Sequence, residues 1–177
     1  DDEIHLDKLL LKAGEGELLG TGLVKFDQWK LKDYSFEVSG DRLHLYNFPE
    51  LQLFVSPDLT FIGDLSRSEL KGSILFPEMN LIDKSTWEHS VPSDDLVISG
   101  QETYERMTLT FDTDIQVFVE LGEKVKVKTE GVETRLEGGV TITRDEKRHL
   151  AGWGEIRLVG GTYKAYGTSL AIKQGAM

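Results

Sequence analysis

Pairs of acidic residues are the first feature of this sequence that could do chemistry. Asp94-Asp95 and the pair Asp112 and Asp114 have the side chains of a general acid and base, or of oxygen ligands for a hard cation. Neither pair has a His, a Glu or a third Asp at a spacing that would complete a site. We therefore expect these carboxylates to be solvated or to cap loop ends, and we predict no metal site.

Residues for nucleophilic catalysis are also missing. The four histidines, His5, His44, His89 and His149, are dispersed, with no two at metal-binding spacing. There is no Cys, which excludes disulfides and thiolate ligands, and no serine lies in a Gly-x-Ser-x-Gly turn. The sequence therefore predicts no enzymatic activity and no cofactor.

Three glycine pairs superficially resemble phosphate-binding loops, at Gly14-x-Gly16, Gly20-x-Gly22 and Gly152-x-Gly154. A phosphate loop needs a helix after it, whereas these pairs lie within strand-like patterns. Turns, bulges or a close approach of neighbouring strands are the better interpretation.

The charge of the chain restricts its partners. The 177 residues include 31 acidic and 20 basic side chains, a formal net charge of -11. This excess argues against nucleic acid and against electrostatic docking on anionic lipid headgroups. No uncharged run approaches the 18 or so residues of a membrane-spanning helix. Because the chain opens on Asp1-Asp2 and stops just after a strand-like run, we interpret residues 1–177 as one β-rich module of a longer protein.

Elements that could position these residues follow a period of two. From Met107 to Ile142, apolar side chains alternate with polar ones, as in a sheet with one apolar and one water-facing side. The same alternation recurs along the chain and predicts about twelve strands without an amphipathic helix, which indicates an all-β fold. The pattern stops from Lys84 to Asp95, where we predict a loop.

A sheet with one long apolar face must cover it, because the largest exposed apolar patch on a soluble monomer is roughly 300–600 Å². Three arrangements would do so. Two sheets could close as a β-sandwich, the sheet could close into a barrel, or one sheet could curl so that its apolar side lines a groove filled by a ligand or another chain.

Two stretches resemble a known family. Leu70 to Leu81, followed by Val91 to Ile98, is similar to the TamB family, which has a "G-x-[VI]-x-[VF]-P" strand and then a loop ending "P-S-x-D-[VL]-V-I". The tail from Gly154 to Gly167, with Leu170, Ile172 and Gly175, resembles the family's "G-x-Y-x-A-Y-G" signature strand region. Tyr163-Lys164-Ala165-Tyr166-Gly167 is the most specific match.

The resemblance implies a Gram-negative envelope protein of the periplasm, with a long antiparallel or mixed sheet curled into an apolar-lined trough, the β-taco. It implies phospholipid as the partner, held by its acyl chains during transport toward the outer membrane. It also implies outer-membrane assembly with TamA through regions outside this fragment, and an inner-membrane anchor outside it as well. A closed β-sandwich that acts only as a spacer stays open as the alternative fold.

We expect one set of residues to line the groove, namely Leu109, Phe111, Ile115, Val117, Val119, Val125, Val127, Leu136, Val140, Ile156 and Leu158. Trp87, in the predicted loop at 84–95, could fold over an open end as a plug. An alternative function is a scaffold whose open sheet edge accepts a strand from an outer-membrane client. Two fragments could also associate face to face to hide their apolar sides.

Overall fold

The alternating pattern folds into β-strands throughout the part of the chain that the structure describes. The structure is a computed structural model that describes residues 2–83, 112–129, 131–144, 149–165, 168–172 and 174–176. Its strands are β1 (Asp2–Ala13), β2 (Gly16–Asp27), β3 (Lys30–Asp41), β4 (Leu43–Asn47), β5 (Leu51–Gly63), β6 (Arg67–Ile82), β7 (Asp112–Thr129), β8 (Val132–Arg144), β9 (Leu150–Ala165), β10 (Thr168–Ala171) and β11 (Gln174–Ala176). The all-β prediction is therefore confirmed.

All of these strands belong to one sheet. The strands along its main path follow the order β1-β2-β3-β5-β6-β7-β8-β9-β10, while β4 pairs with β5 and β11 pairs with β9. Every pairing is antiparallel except that of β6 with β7, which is parallel and sets Arg67 opposite Asp112 and Ile82 opposite Lys128. The sheet is therefore mixed, as one of the predicted forms allowed.

The sheet is a single layer over the described ranges. Its strands contact their hydrogen-bonded neighbours, and the further contacts between elements are those of β4 with β1 and β2. No second sheet packs on this one among the described residues, and the edge strands β1 and β10 are not paired with each other. The architecture is consistent with the curled, taco-like sheet and differs from the sandwich alternative.

A proline fits inside this sheet at a fork, the point along β5 where its neighbour on one side changes from β4 to β3. Pro57 lies inside β5, which runs from Leu51 to Gly63. On one side, β3 pairs with β5 only from Asp58 onward and β4 pairs with it only up to Val55. Pro57 therefore lies where β5 has no neighbour on that side, and its missing N–H group costs no ladder hydrogen bond.

β7 contains a second irregularity within a strand. It continues through Gly122, from Asp112 to Thr129. The register with β8 shifts between Leu121 and Lys126, so β7 absorbs extra residues in a bulge. Because two extra residues preserve the two-residue alternation, Leu121 and Val125 stay on the same side of the sheet.

The β5–β6 turn is built around one carboxylate. Asp64 Oδ1 accepts hydrogen bonds from the backbone N–H of Ser66 at 2.6 Å, from the Ser66 hydroxyl at 2.6 Å and from the backbone N–H of Arg67 at 3.0 Å. These hydrogen bonds, led by that of the Ser66 hydroxyl, lower the pKa of Asp64 below its ordinary value.

We expect Asp64→Ala to lower the thermal midpoint of unfolding at pH 7, because three donors lose their acceptor. Since the folded-state pKa is lowered, the contribution is complete above the ordinary pKa of Asp and is lost as the pH falls through the folded-state value. Melting curves at pH 7 and pH 2.5 should show the difference from wild type shrinking in acid. Asp58→Ala, on an exposed strand position, is the control, and an equal difference at both pH values would contradict this role.

Gly72 occupies a conformation that only glycine adopts easily. Its φ is +135°, and an added Cβ would lie 2.0 Å from the carbonyl oxygen of Asp58 on β5. Gly160 also has positive φ, +67°, but an added Cβ there would meet nothing within 4 Å. The two positions therefore separate backbone strain alone from strain combined with a clash between strands.

Urea unfolding should show Gly72→Ala destabilised by more than the roughly 1–3 kcal/mol of backbone strain alone. Gly160→Ala should cost about 1–2 kcal/mol, the strain of a left-handed residue with a Cβ. Equal losses in the two variants would mean that β5 and β6 approach each other less closely at Gly72 than described.

Candidate functional site

The strand register places apolar residues of nine neighbouring strands on one side of the sheet, which we call the apolar face. Because opposite residues in a sheet point to the same side, each chain of partners can be followed across it. One row passes from β1 to β9 through Leu9, Gly20, Val38, Leu59, Gly72, Val117, Ile142 and Gly152. A neighbouring row contains Pro57, Ile74, Val119, Val140 and Gly154.

The dimensions of the apolar face follow from sheet geometry. Nine strands lie on the main path of the sheet, and adjacent strands are about 4.8 Å apart. The main path of the sheet therefore extends roughly 40 Å in the direction perpendicular to the strands, and the row from Leu9 to Gly152 extends roughly 34 Å of it. A face of this length is far larger than a pocket for a small ligand.

Of the predicted lining residues, nine lie in the described part of the chain and all nine share this face. Val119 of β7 is opposite Val140 of β8, and Leu136 of β8 is opposite Leu158 of β9. The others are Ile115, Val117, Val125, Val127 and Ile156. Leu109, Phe111 and Trp87 lie outside the described residues.

Two of these nine residues are buried and present almost no surface. Val125 is 0% exposed and Val117 is 5% exposed. They support the sheet from within, whereas half-buried residues such as Val119, Val140 and Leu158 can still be reached. Burial is deepest in the central strands, which is what a sheet curled about β6, β7 and β8 would produce.

Toward its two edges the apolar face is open. Ile4 is 61% exposed and Leu11 is 50% exposed on β1, while Leu150 at the start of β9 is 69% exposed. Exposed apolar side chains in one contiguous surface indicate an interaction site rather than a core.

The lining prediction missed the first half of the sheet. Residues of β1, β2, β3, β5 and β6 continue the same face, among them Ile4, Leu6, Val24, Phe36, Val38, Leu59, Phe61, Leu70, Ile74 and Phe76. The apolar alternation that marks these residues is present in the sequence. The sequence pattern does not contain the register that joins these strands to β7, so their residues could not be assigned to the same face.

A glycine on this face is covered by an aromatic ring from the next strand. Gly22 lies opposite Phe36, and a Cβ added to Gly22 would be 2.4 Å from Cδ1 of that ring. Phe36 in turn lies near Tyr34, with ring centroids 6.0 Å apart, and Tyr34 lies 5.2 Å from Phe61. The glycine pair at 20–22 therefore allows a close approach of side chains from the neighbouring strand, as the strand pattern indicated.

The side of the sheet opposite the apolar face has many charged residues, several of them in ion pairs. Lys12 contacts Glu17 at 2.7 Å, Lys71 contacts Glu69 at 2.7 Å, and Arg42 contacts Glu78 at 3.0 Å. Exposed pairs of this kind contribute on the order of 0–1 kcal/mol each. They keep this side in water and so distinguish it from the apolar face.

Of the acidic residues considered for chemistry, Asp114 makes a structural contact. Asp114 accepts a hydrogen bond from Arg67 Nε at 3.0 Å, at the edge of a surface groove of about 560 Å³ that also contains Asp33, Asp64 and Glu69. No group of three or more His, Asp or Glu side chains could hold a metal ion within the described ranges. Asp94 and Asp95 lie outside them, as does His89.

The other three histidines are also separate from one another. His5 contacts Glu3 at 3.2 Å, and His44 stacks on Phe54 with ring centroids 4.2 Å apart. His149 is exposed just before β9. Nothing in these positions joins two histidines in one site.

Comparison with known proteins gives the family. The described ranges contain no helix with the length and apolar character needed to cross a membrane. No solved structure matches the chain. A family model, the TamB C-terminal domain, matches residues 7–177. That family acts with TamA in the translocation and assembly module and in outer-membrane biogenesis, and its members are non-enzymatic envelope proteins that span the periplasm. Because the match covers nearly the whole chain, and the curled all-β sheet agrees with it, this chain belongs to the TamB family.

Proposed function

We propose that the apolar face shields phospholipid acyl chains in the periplasm, during lipid transport from the inner to the outer membrane. One observation carries the proposal: a nine-strand apolar face, continuous in register, has no second layer packed on it among the described residues. The role of the TamB family in outer-membrane biogenesis gives the setting for this proposal.

The energy of transfer supports a lipid occupant. Moving an acyl chain through water costs about 0.8 kcal/mol per methylene group, so a chain of sixteen carbons needs roughly 10 kcal/mol or more of shelter. A small surface pocket cannot supply that area, whereas apolar rows that run across as many as eight strands can. The acyl chains would lie on the apolar face and the headgroup would point toward the opening.

The proposal includes the position of this module in the envelope. The fragment would lie in the periplasm, while the inner-membrane anchor and the contact with TamA would belong to segments outside residues 1–177. Two copies of the isolated fragment could also cover each other's apolar faces. Light scattering would then give a dimer that dissociates when detergent occupies the face.

A charge on the reachable part of the apolar face should block lipid binding without unfolding the sheet. We expect Val119→Asp and Leu158→Arg to reduce photo-crosslinking to a phospholipid with a labelled acyl chain at least tenfold, the effect of about 1.4 kcal/mol. Circular dichroism should retain the strand signal. Val117 is less suitable, because it is 5% exposed and a charge there would also destabilise the fold.

Gln116→Asp is the matched control, since Gln116 is exposed on the other side of the same strand. It should leave crosslinking unchanged. Folded Val119→Asp and Leu158→Arg variants that crosslink as wild type does would rule out the apolar face as the lipid site.

A second candidate function is a scaffold for outer-membrane protein assembly by strand addition. The edge strand β1 favours it, because this strand has twelve residues, contains no proline and pairs with β2 alone. A row of unpaired backbone groups is a template for another strand. Its occupant would bind through backbone hydrogen bonds rather than through the apolar face.

Proline substitutions at Leu10 and Leu11 of β1 would separate the two functions. Of two adjacent residues in an edge strand, one points its N–H toward β2 and the other points outward. The substitution at the residue whose N–H points outward removes no hydrogen bond to β2, so the fold should stay intact. It should abolish binding of a fluorescent β-strand peptide, measured by anisotropy. Peptide binding that survives both prolines, but is lost in Val119→Asp, would exclude strand addition at β1.

A further inference from the structure

A cluster of cations lies on the charged side of the sheet, at the end where β7 finishes and β8 begins. We call it the basic site, and it consists of Lys126, Lys128 and Arg135. Together with Asn80, Glu133 and Val159 they line a concave surface of about 520 Å³, whose floor includes Gly160 and Gly161. The apolar face lies on the opposite side of the same strands, where Val125 and Thr134 are buried.

Two of these cations face each other across the strand pair. Lys126 of β7 is directly opposite Arg135 of β8, and Asn80 and Val159 continue the row on either side. Residues opposite each other in an antiparallel pair have Cβ atoms about 4.5–5.5 Å apart, and like charges in this position are destabilising. The arrangement becomes favourable when an anion lies between the two side chains.

Acidic neighbours neutralise this cluster only in part. Lys128 contacts Glu133 at 3.2 Å, and Arg135 uses its Nε for Glu137, also at 3.2 Å. Lys126 has no ion pair in the part of the chain that the structure describes. Three cations therefore face two carboxylates, and one cation remains in excess.

The excess of cations is local and opposes the charge of the whole chain. The formal net charge is -11, and several of the other described cations, among them Lys12, Arg42 and Lys71, lie within 4 Å of a carboxylate. Because salt screens charges beyond about 8–10 Å, an anion in the concave surface responds mainly to the charges around it, which are three cations, Glu133 and Glu137, and little to the other carboxylates of the chain. Guanidinium and ammonium groups together are the usual partners of phosphate oxygens.

A glycine bulge keeps the floor of this surface open. Gly160 is the extra residue where the register of β8 with β9 shifts between Thr134 and Arg135. The buried Thr134 hydroxyl donates a hydrogen bond to the Gly160 carbonyl oxygen at 2.7 Å, which holds the bulge in place. An added Cβ on Gly160 would meet nothing within 4 Å, so no side chain fills the space above it.

We propose that the basic site binds a phosphate group. The same chemistry is presented by a phospholipid headgroup in a bilayer and by a soluble phosphate, so the test has one arm for each source. The inference is independent of the acyl-chain function, because the basic site lies on the opposite side of the sheet.

The experiment uses the full chain and the double variant Lys126→Gln/Arg135→Gln. One arm measures co-sedimentation with phosphatidylcholine vesicles that contain phosphatidic acid, against vesicles of phosphatidylcholine alone. The other measures the shift of the thermal midpoint in inorganic phosphate, against chloride at equal ionic strength. Each cation near a lipid surface contributes about 1 kcal/mol, so the double variant should bind roughly 30-fold more weakly.

Lys71→Gln is the matched control, because Lys71 is exposed on the same side of the sheet but is paired with Glu69. It removes the same type of charge and should bind as wild type does. Co-sedimentation with the phosphatidic acid vesicles, without a shift of the thermal midpoint in inorganic phosphate, assigns the site to a headgroup. A response to inorganic phosphate alone assigns it to a soluble phosphate.

The proposal is overturned if neither arm shows binding, or if the double variant and Lys71→Gln lose the same amount. The double variant should also retain acyl-chain crosslinking at wild-type level. That result would distinguish a failure of the basic site from a failure of the apolar face.

Discussion

The structure depends on one constraint: an apolar face that spans nine strands in a single layer. Backbone hydrogen bonds between neighbouring strands are complete without a second layer, so the sheet can form while its apolar side stays reachable. Only Leu43, Val55, Val117 and Val125 are buried apolar residues among those described. Few apolar side chains are therefore buried within this sheet, and most stay at least partly exposed.

Irregularities in the strands maintain this face instead of breaking it. The bulge in β7 adds two residues, so Val125 and Val127 return to the side occupied by Val117 and Val119. Pro57 lies at the fork between β3 and β4, where its missing N–H has no neighbour to meet. In both cases the chain changes direction or register without moving an apolar side chain into water.

The two sides of the sheet suit two different kinds of contact. Hydrophobic contact with the apolar face is non-directional, which suits the proposed shelter for the acyl chains of lipids with any headgroup. The other side has several paired charges, and at the basic site three cations, Lys126, Lys128 and Arg135, have only two carboxylate partners, so direction and charge sign matter there. A net charge of -11 argues against general docking on anionic lipid headgroups, and only a local site such as this one could bind a phosphate group.

The sequence by itself determined the strands, their alternation and the family. Side chains alternate with a fixed period in any strand, so Val119, Val140 and Leu158 could be assigned to one face before any partner strand was known. Tyr163-Lys164-Ala165-Tyr166-Gly167 is specific enough to indicate the TamB family, which the family match confirms. Only the tertiary structure decided which strands are neighbours, because pairing joins residues far apart in the chain. The parallel pairing of β6 with β7, the extension of the apolar face to β1 and the opposition of Lys126 and Arg135 all depend on that register, and no local pattern encodes it.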